Sequence, residues 1–377
     1  MAKMLTYAQG GDVLVIRASG SDGYNPYFFG ELGVNVNSVE TIKWNIAEAS
    51  NDPYVQRRMR EAELVFIAGG DQSVYRDYWT HPEIKEIFDY LILEKKVTMG
   101  GTSAGAVILS DYPYTPINDG ATSAELLSNP YHDNAESLFL DTPIEHPFAS
   151  NLIVDTHFDQ RNRLGRLCVF LQRAYIHTGF SKNLTAIGLN EVTAIEVDEN
   201  QDAIVFGEFP NYQDYVYIIK ANCDTEQAEL FTENQTVEWS YGNEAIAMKR
   251  KPGKINPTGY INLTNSEGEP DIADFFLGIN NGVVAQIPAQ IECVFLAAST
   301  SQAQESDIKL YNDNMQLRVE LPENNYAESL EIFNITGQRI YYEEDQNLID
   351  ISSYAPGKYQ LIIRIGGKTA NQWFSKF

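Results

Sequence analysis

Gly101-Thr102-Ser103-Ala104-Gly105 is the segment whose residue types and spacing point most directly to chemistry. It fits the pattern G-x-S-x-G, in which a sharp turn between a strand and a helix lifts a serine hydroxyl out of a sheet to act as a nucleophile. Small neighbours allow the strained backbone, and the helix start that follows favours a developing negative charge. The alternative is a glycine-rich turn with a helix-capping serine.

A serine nucleophile needs a base and a carboxylate that orients the base. His157 is the favoured base because it directly follows a predicted strand at 152–154, and functional groups in open α/β sheets gather at the carboxyl ends of strands. A structural role for His157 is the alternative. The other histidines are expected at helix ends or in polar loops: His81, His132, His146 and His177.

Three arginines, Arg161, Arg163 and Arg166, follow His157 within a few residues. The cluster is unusual in a chain with 27 basic and 52 acidic residues. Because arginine makes bidentate contacts to carboxylates, the cluster suggests a pocket for a substrate carboxylate. A solvated helix face paired with the surplus acidic residues explains it equally well.

The elements that must position these residues are predicted from hydrophobic periodicity. Runs that are apolar on both faces predict strands at 13–16, 64–68, 97–99 and 152–154, and helical spacing predicts helices at 54–63, 82–94, 106–109 and from 161 to 177. Such strands, separated by helices, indicate a parallel sheet covered on both faces. Later in the chain, 215–219 and 245–248 are typical of antiparallel strands, and 265–298 fit no clear pattern.

Composition limits the classes of function. The 377 residues suggest two or three domains, and the net charge of −25 argues against nucleic acid or an anionic membrane as the main partner. The sequence has no apolar run long enough to span a membrane. It also lacks a dinucleotide or Walker motif and a metal-ligand cluster, so no cofactor and no metal are expected. Cys168, Cys223 and Cys293 lie far apart and are expected to be buried thiols.

The C-terminal part of the chain has a different texture. Residues 297–307 are small and polar, which predicts a linker. After it, Leu317, Val319 and Leu321 alternate with charged residues, and a second alternating run at 359–365 ends at Gly366-Gly367, a hairpin signal. We therefore predict a compact all-β domain at the C-terminus.

Four segments resemble, in order, the signature stretches of the cyanophycinase branch of the serine peptidases, which also include aspartyl dipeptidase. They are 69–72 (GGDQ), 101–106 (GTSAGA), 155–158 (DTHF) with the arginine cluster, and 188–194 (GLNEVTA). The resemblance covers about residues 10–250 and implies an α/β sandwich like that of the class I glutamine amidotransferases. Members of this family cleave peptide bonds next to aspartate. Cyanophycinases are exopeptidases that release β-Asp-Arg dipeptides from cyanophycin.

The resemblance also implies roles for individual residues. Ser103 would be the nucleophile, His157 the general base and Glu191 the acid of the triad. The oxyanion hole would be the backbone N–H groups of Gly70 and Ala104. The substrate pocket would be lined by Gln72, Asp155, Arg161, Arg163 and Arg166.

The sequence departs from the family pattern in two places. Thr156 stands where cyanophycinases usually have glutamine, which bears on substrate choice more than on hydrolytic chemistry. The family also begins with a strand that would precede Met1, so we expect that strand, and a signal peptide, upstream of this chain. A glutamine amidotransferase would need cysteine in place of Ser103 and is set aside.

The tail resembles a type IX secretion sorting domain. The resemblance is carried by 330–338 (LEIFNITGQ), 349–351 (IDI), 356–359 (PGKY) and the closing Lys376-Phe377. Such domains are small β-sandwiches at the C-terminus of proteins exported across the outer membrane of some Gram-negative bacteria. The alternative is a small carbohydrate- or protein-binding module.

We therefore expect an α/β fold with a mostly parallel sheet between helices, followed by a small all-β sandwich. The expected domains are a hydrolase domain at 1–255, a connecting region at 256–307 and a sorting domain at 308–377. The expected protein is a secreted or cell-surface serine peptidase of a Gram-negative bacterium. Its partners would be cyanophycin or aspartyl peptides and the outer-membrane secretion machinery, with no nucleic acid, and the family implies that a homodimer can form. A non-catalytic cell-surface peptide-binding protein on the same fold is the alternative.

Overall fold

The computed structural model describes most of the N-terminal three-quarters of the chain and the strands of the tail. The described residues are 1–138, 143–222, 225–265, 272–288, 309–312, 316–321, 327, 329–334, 339–343, 347–354, 357–365 and 368–376. The chain divides into two compact units, Met1–Cys293 and Val294–Phe377.

The first unit alternates strands and helices up to β6 and is mainly strands afterwards. Its strands are β1 (Asp12–Arg17), β2 (Ser38–Lys43), β3 (Leu64–Ile67), β4 (Thr98–Gly101), β5 (Leu152–Asp155), β6 (Thr185–Leu189), β7 (Ala194–Val197), β8 (Asp202–Phe206), β9 (Tyr215–Ala221), β10 (Ile246–Pro252), β11 (Ile261–Asn262), β12 (Ala273–Asn280) and β13 (Val283–Pro288). Its α-helices are α1 (Ala2–Thr6), α2 (Tyr24–Pro26), α3 (Pro53–Glu61), α4 (Gln72–Trp79), α5 (Pro82–Asp89), α6 (Ala104–Val107), α7 (Ser123–Ser128) and α8 (Leu164–His177).

The described strands of this unit form three sheets. The first is fully parallel and has the order β2-β1-β3-β4. The second has the order β13-β12-β10-β9-β6-β5, in which only β5 and β6 are parallel. A small antiparallel sheet has the order β11-β8-β7. The short helix α6 packs against β3, β4 and β5, so it links the first two sheets.

Helices cover both faces of the parallel sheet. On one face, buried residues of β1 and β3 pack with Trp44, Trp79 and Phe88. On the other face, Val15 and Phe66 pack with Leu5 and Phe28. Because every residue of β3 is buried, its sequence is apolar without alternation. The predicted α/β fold with a helix-covered parallel sheet is confirmed.

Local signals explain where the helices begin. The Asp52 side chain accepts a hydrogen bond from the N–H of Tyr54 at the start of α3, and Pro53 occupies the first helical position. Thr122 and Glu125 form a capping box at α7. The predicted strands at 13–16, 64–68 and 152–154 and the helices at 54–63 and 82–94 are confirmed, although the last helix continues beyond α5 as a π-helix, Tyr90–Glu94.

One predicted helix differs. The sequence placed it at 106–109, whereas α6 is a single turn at Ala104–Val107. The helix begins earlier because the nucleophile turn leads directly into it. The segment that fitted no pattern contributes β12 and β13; β12 pairs with β10 on one side and with β13 on the other.

In the second unit, the elements that the structure describes are all strands, as predicted for the tail. Its described strands are β14 (Lys309–Asn312), β15 (Gln316–Glu320), β16 (Ser329–Asn334), β17 (Arg339–Glu343), β18 (Leu348–Asp350), β19 (Gly357–Ile365) and β20 (Lys368–Lys376). They form two antiparallel sheets, β14-β15-β18 and β17-β16-β19-β20. Leu317, Val319 and Leu361 are buried in the core of this unit.

Some sequence expectations concern residues outside the described part. These are the linker at 297–307, the Gly366-Gly367 turn, Cys223 and Cys293. The domain boundaries at 255 and 307 stay predictions; β12 and β13 continue the second sheet beyond residue 255. Cys168 is a buried free thiol, as expected, and burial raises its pKa to about 12. No helix in the described ranges is long and apolar enough to cross a membrane.

Candidate active site

Ser103 occupies the turn between β4 and α6. Its backbone has φ 51° and ψ −118°, a conformation that L-residues rarely adopt. Gly105 makes the turn possible, because a Cβ there would collide with the carbonyl of Ile67 in the neighbouring strand β3. The strained serine between a strand and a helix is the geometry that the G-x-S-x-G spacing predicts.

His157 and Glu191 follow the two neighbouring strands β5 and β6. The Ser103 Oγ lies 2.9 Å from Nε2 of His157, and Nδ1 of His157 lies 2.8 Å from Oε1 of Glu191. The three residues come from the carboxyl ends of three strands, where functional groups of α/β sheets collect. The structure thus brings together the three residues that the sequence and the family resemblance assign to a triad.

The order of these contacts fixes what each group can do. When the Nδ1–H of His157 donates to the Glu191 carboxylate, Nε2 is left to accept the Ser103 proton. The side chain of His157 is 25% exposed and that of Glu191 is 50% exposed, so solvent and substrate can reach the site. The arrangement can therefore carry out serine-based acyl transfer.

The predicted oxyanion donors belong to a segment that contacts Ser103 and to the residue that directly follows it. A Cβ at Gly69 would be 3.1 Å from the Cβ of Ser103, so the Gly69–Gly70 backbone runs directly against the nucleophile. Gly70 has φ 155°, which favours glycine. The N–H of Ala104 is the first of α6, and the first N–H groups of a helix have no acceptor within the helix.

Two of the three clustered arginines bind Asp155 rather than solvent. The Arg166 side chain contacts both carboxylate oxygens of Asp155, at 2.7 and 2.6 Å, and Arg163 Nη1 lies 3.0 Å from Asp155 Oδ1. Asp155 and Arg166 are both buried. Arg163 also donates to the carbonyl of Thr156, next to His157. This network ties the end of β5 to α8 and holds the turn that carries His157.

Arg161 differs from its neighbours. It is exposed, and within the described ranges it forms no salt bridge. Gln72, another predicted pocket residue, is half-buried at the start of α4 and donates to the carbonyl of Tyr114. The roles of these residues in substrate binding stay predictions.

The remaining histidines stand at the ends of helical segments. His81 precedes α5, His132 and His146 accept hydrogen bonds at the starts of 3₁₀-helices, and His177 ends α8. Within the described ranges, no group of three or more His, Cys, Asp or Glu side chains could hold a metal ion.

Sequence reasoning missed Tyr75. This fully buried residue of α4 donates a hydrogen bond to the carbonyl of Ala68 and accepts one from the N–H of Ala18. It thereby ties the end of β1 to the segment that leads into Gly69 and Gly70. A tyrosine on an apolar helix face is typical of a core, so nothing in the sequence distinguishes it.

Comparisons with known proteins show similarity in two parts of the chain. Residues 24–204 match the family described as Peptidase family S51, and residues 311–375 match the secretion system C-terminal sorting domain. A cyanophycinase of Trichormus variabilis is 29% identical over 139 residues, which are 37% of this chain and 42% of that protein. A cyanophycinase of Geminocystis herdmanii is 26% identical over 180 residues, 48% of this chain and 58% of that protein. The chain thus spans about half the length of these relatives.

Among solved structures, a peptidase from an acI-B1 Actinobacterium is 16% identical, with a TM-score of 0.39; the match covers 58% of this chain and 82% of that chain. A putative peptidase E protein from Listeria monocytogenes is 12% identical, with a TM-score of 0.28; it covers 53% and 83% of the two chains. Both solved structures are too distant from this chain to assign its fold or its function.

The match over residues 24–204, together with the contacts among Ser103, His157 and Glu191, supports a serine peptidase domain in this part of the chain. The chain has distant relatives among the cyanophycinases, and its residues 311–375 match a secretion system C-terminal sorting domain.

Proposed function

We propose that this chain is a secreted or cell-surface serine peptidase that hydrolyses aspartyl peptide bonds. Its substrate would be cyanophycin, cut to β-Asp-Arg dipeptides, or related aspartyl peptides. The observation that carries the proposal is the continuous contact from the Ser103 hydroxyl through His157 to Glu191. The cyanophycinases among its relatives and the sorting domain support the substrate class and export from a Gram-negative bacterium.

In the proposed reaction, Ser103 Oγ attacks the scissile carbonyl while His157 Nε2 takes its proton. The N–H groups of Gly70 and Ala104 stabilise the negative oxygen that develops, and Glu191 stabilises the imidazolium. His157 then gives its proton to the leaving amine. A water molecule, deprotonated by His157, then attacks the acyl-enzyme; the bond between the acyl carbon and Ser103 Oγ breaks, His157 returns the proton to Oγ, and the second product is released.

Substrate choice would depend on groups around this centre. Arg161 is exposed beside His157 without a salt bridge in the described ranges, so its guanidinium is available to a substrate carboxylate. Arg163 and Arg166 have a different role from Arg161 in this proposal. Both form ion pairs with Asp155, and these ion pairs hold the turn that carries His157.

The test is to incubate the full chain with purified cyanophycin and to detect β-Asp-Arg by mass spectrometry. Wild type should release the dipeptide and Ser103→Ala should not, while Ser181→Ala, which changes an exposed serine away from the triad, should behave as wild type. Release by Ser103→Ala would exclude the mechanism. A folded wild type that cleaves neither cyanophycin nor a panel of α- and β-aspartyl dipeptides would favour the peptide-binding alternative.

A further inference from the structure

A further arginine, Arg250 of β10, lies outside the sequence range that matches the peptidase family. The Arg250 guanidinium lies 4.6 Å from the ring centre of Tyr215 and 5.2 Å from that of Phe275. Its Nε is buried and has no hydrogen-bond partner. No carboxylate of the described residues forms a salt bridge with it, although the chain carries a net charge of −25.

The pairing of strands places Arg250 at the active-site end of the second sheet. Gly188 of β6 pairs with Tyr217 of β9, and Tyr217 pairs with Arg250 of β10. Since neighbouring strands are about 4.8 Å apart, Arg250 lies roughly 10 Å across the sheet from β6. Glu191 follows the carboxyl end of β6, so Arg250 and Glu191 lie at the same end of the strands of this sheet.

Side-chain contacts connect Arg250 to the triad segments. Phe158, the residue after His157, packs its ring 4.9 Å from that of Tyr217 and closely over Gly188. Burial raises the pKa of Tyr217, whereas the charge of Arg250 and side-chain hydrogen bonds with Arg250 and Asn190 lower it. Asn190 directly precedes Glu191. Arg250 is therefore joined to the segments of His157 and Glu191 through a single tyrosine.

The aromatic neighbours also determine what the guanidinium can bind. The two rings and a hydrogen bond with Tyr217 hold the guanidinium in place, and because arginine has five N–H donors, other donors are left for a ligand. A carboxylate is the group that matches such donors, with two parallel N–H···O bonds. The charged group is thus ordered before a ligand arrives, which lowers the entropic cost of binding.

We propose that Arg250 is an anion subsite that binds a second carboxylate of an acidic peptide substrate, a few residues from the scissile bond. The inference rests on the proposed peptidase function and adds a substrate class to it: peptides with more than one carboxylate. Arg161 and Arg250 would contact different carboxylates of the same peptide.

The test measures binding, so it does not depend on turnover. Tetra-aspartate and its four single Asp-to-Asn variants are titrated calorimetrically into Ser103→Ala and into Ser103→Ala/Arg250→Gln. We expect one of the four Asn substitutions to weaken peptide binding to Ser103→Ala about tenfold. The same substitution should not weaken binding to Ser103→Ala/Arg250→Gln. Any weakening by the other three Asn substitutions should be the same in both proteins. Ser103→Ala/Lys249→Gln is the matched control, because Lys249 is the adjacent cation and already pairs with Asp274 at 3.0 Å.

Two results would overturn the inference. One is equal binding of all five peptides to Ser103→Ala, which needs no arginine variant and so holds even if Arg250→Gln fails to fold. The other is that every Asn substitution that weakens binding to Ser103→Ala weakens binding to Ser103→Ala/Arg250→Gln equally. Failure of the proposed function is a separate observation, namely a wild type that binds these peptides without cleaving any aspartyl substrate.

Discussion

Ser103 holds a backbone conformation that costs free energy in any residue with a Cβ. Its φ of 51° with ψ −118° lies in a region that glycine occupies easily. Glycine and alanine both remove the hydroxyl, but only glycine removes the strain. We predict that Ser103→Gly is more stable to unfolding than Ser103→Ala by about 1 kcal/mol, measured by urea denaturation.

Both variants lack the hydroxyl and should be inactive, so the difference between their unfolding free energies reports the backbone conformation alone. Ser181→Gly and Ser181→Ala provide the comparison at an exposed serine without a positive φ, where glycine should be no more stable than alanine. If Ser103→Gly is the less stable of the two Ser103 variants, the backbone at position 103 is not strained.

Individual residues differ in how far the sequence predicts their contacts. Ser103 and His157 could be selected from their positions after predicted strands. Glu191 could not, because the chain has 52 acidic residues and only the family resemblance singles one out. The arginine cluster left two interpretations open, and the fold separates its members: Arg166 is buried against Asp155, whereas Arg161 is exposed. That distinction depends on how β5 and α8 pack, which residue spacing does not report.

At the scale of elements, the site depends on strand ends that are held in register. The segment after β3 carries Gly69 and Gly70, and its position is set by the buried hydroxyl of Tyr75, which bonds to Ala68 and Ala18. The Tyr75 Oη lies 3.7 Å from where a Cβ of Gly70 would be. Tyr75 is therefore a positioning residue for the proposed oxyanion donor.

We predict that Tyr75→Phe lowers kcat about tenfold and leaves KM nearly unchanged. Losing both hydrogen bonds frees the Gly69–Gly70 backbone, and a misplaced oxyanion donor affects the transition state more than substrate binding. Steady-state kinetics on the aspartyl substrate gives both constants. Inhibition by a peptide aldehyde, which forms a tetrahedral adduct, should weaken to a similar degree.

Tyr78→Phe is the control, because Tyr78 is a half-buried residue of the same helix. A Tyr75→Phe enzyme with lower stability but wild-type kcat and aldehyde affinity would show that Tyr75 only supports the core.

The elements themselves follow the sequence pattern where burial is simple. Strands such as β3 are apolar throughout because both faces are covered, and this signal is local. The segment containing β12 and β13 gave no such signal. β12 lies between two strands whereas β13 is partly exposed at a sheet edge, so apolar and polar residues mix in a way that only the tertiary pairing explains.

At the scale of the whole molecule, each unit contains its own apolar core. The second unit is centred on residues such as Leu330 and Ile332, and the buried Lys376 side chain donates to the carbonyls of Ile351 and Ser352. The closing lysine that supported the sorting-domain resemblance thus also ties the last strand to the segment after β18. In the first unit, one buried cation makes stability depend on pH.

That cation is Lys220, a residue of β9 that is 2% exposed and donates to the carbonyl of Thr264. Burial lowers its pKa from 10.5 to about 7. Between about pH 7 and pH 10.5 the unfolded chain holds a proton that the folded chain has released. Stability therefore rises with pH in this window, by at most about 1.4 kcal/mol per pH unit from this group, whereas below about pH 7 the full cost of burying the charge is present.

We predict that Lys220→Met is more stable than wild type at pH 6 and that this advantage shrinks as the pH rises from 7 to 10. Urea unfolding at each pH, followed by tryptophan fluorescence, measures the difference; Trp44, Trp79 and Trp239 all lie in the first unit. Lys182→Met is the control, because the pKa of exposed Lys182 is raised and so contributes no slope in this window. Parallel stability curves for wild type and Lys220→Met would mean that Lys220 stays protonated inside the fold.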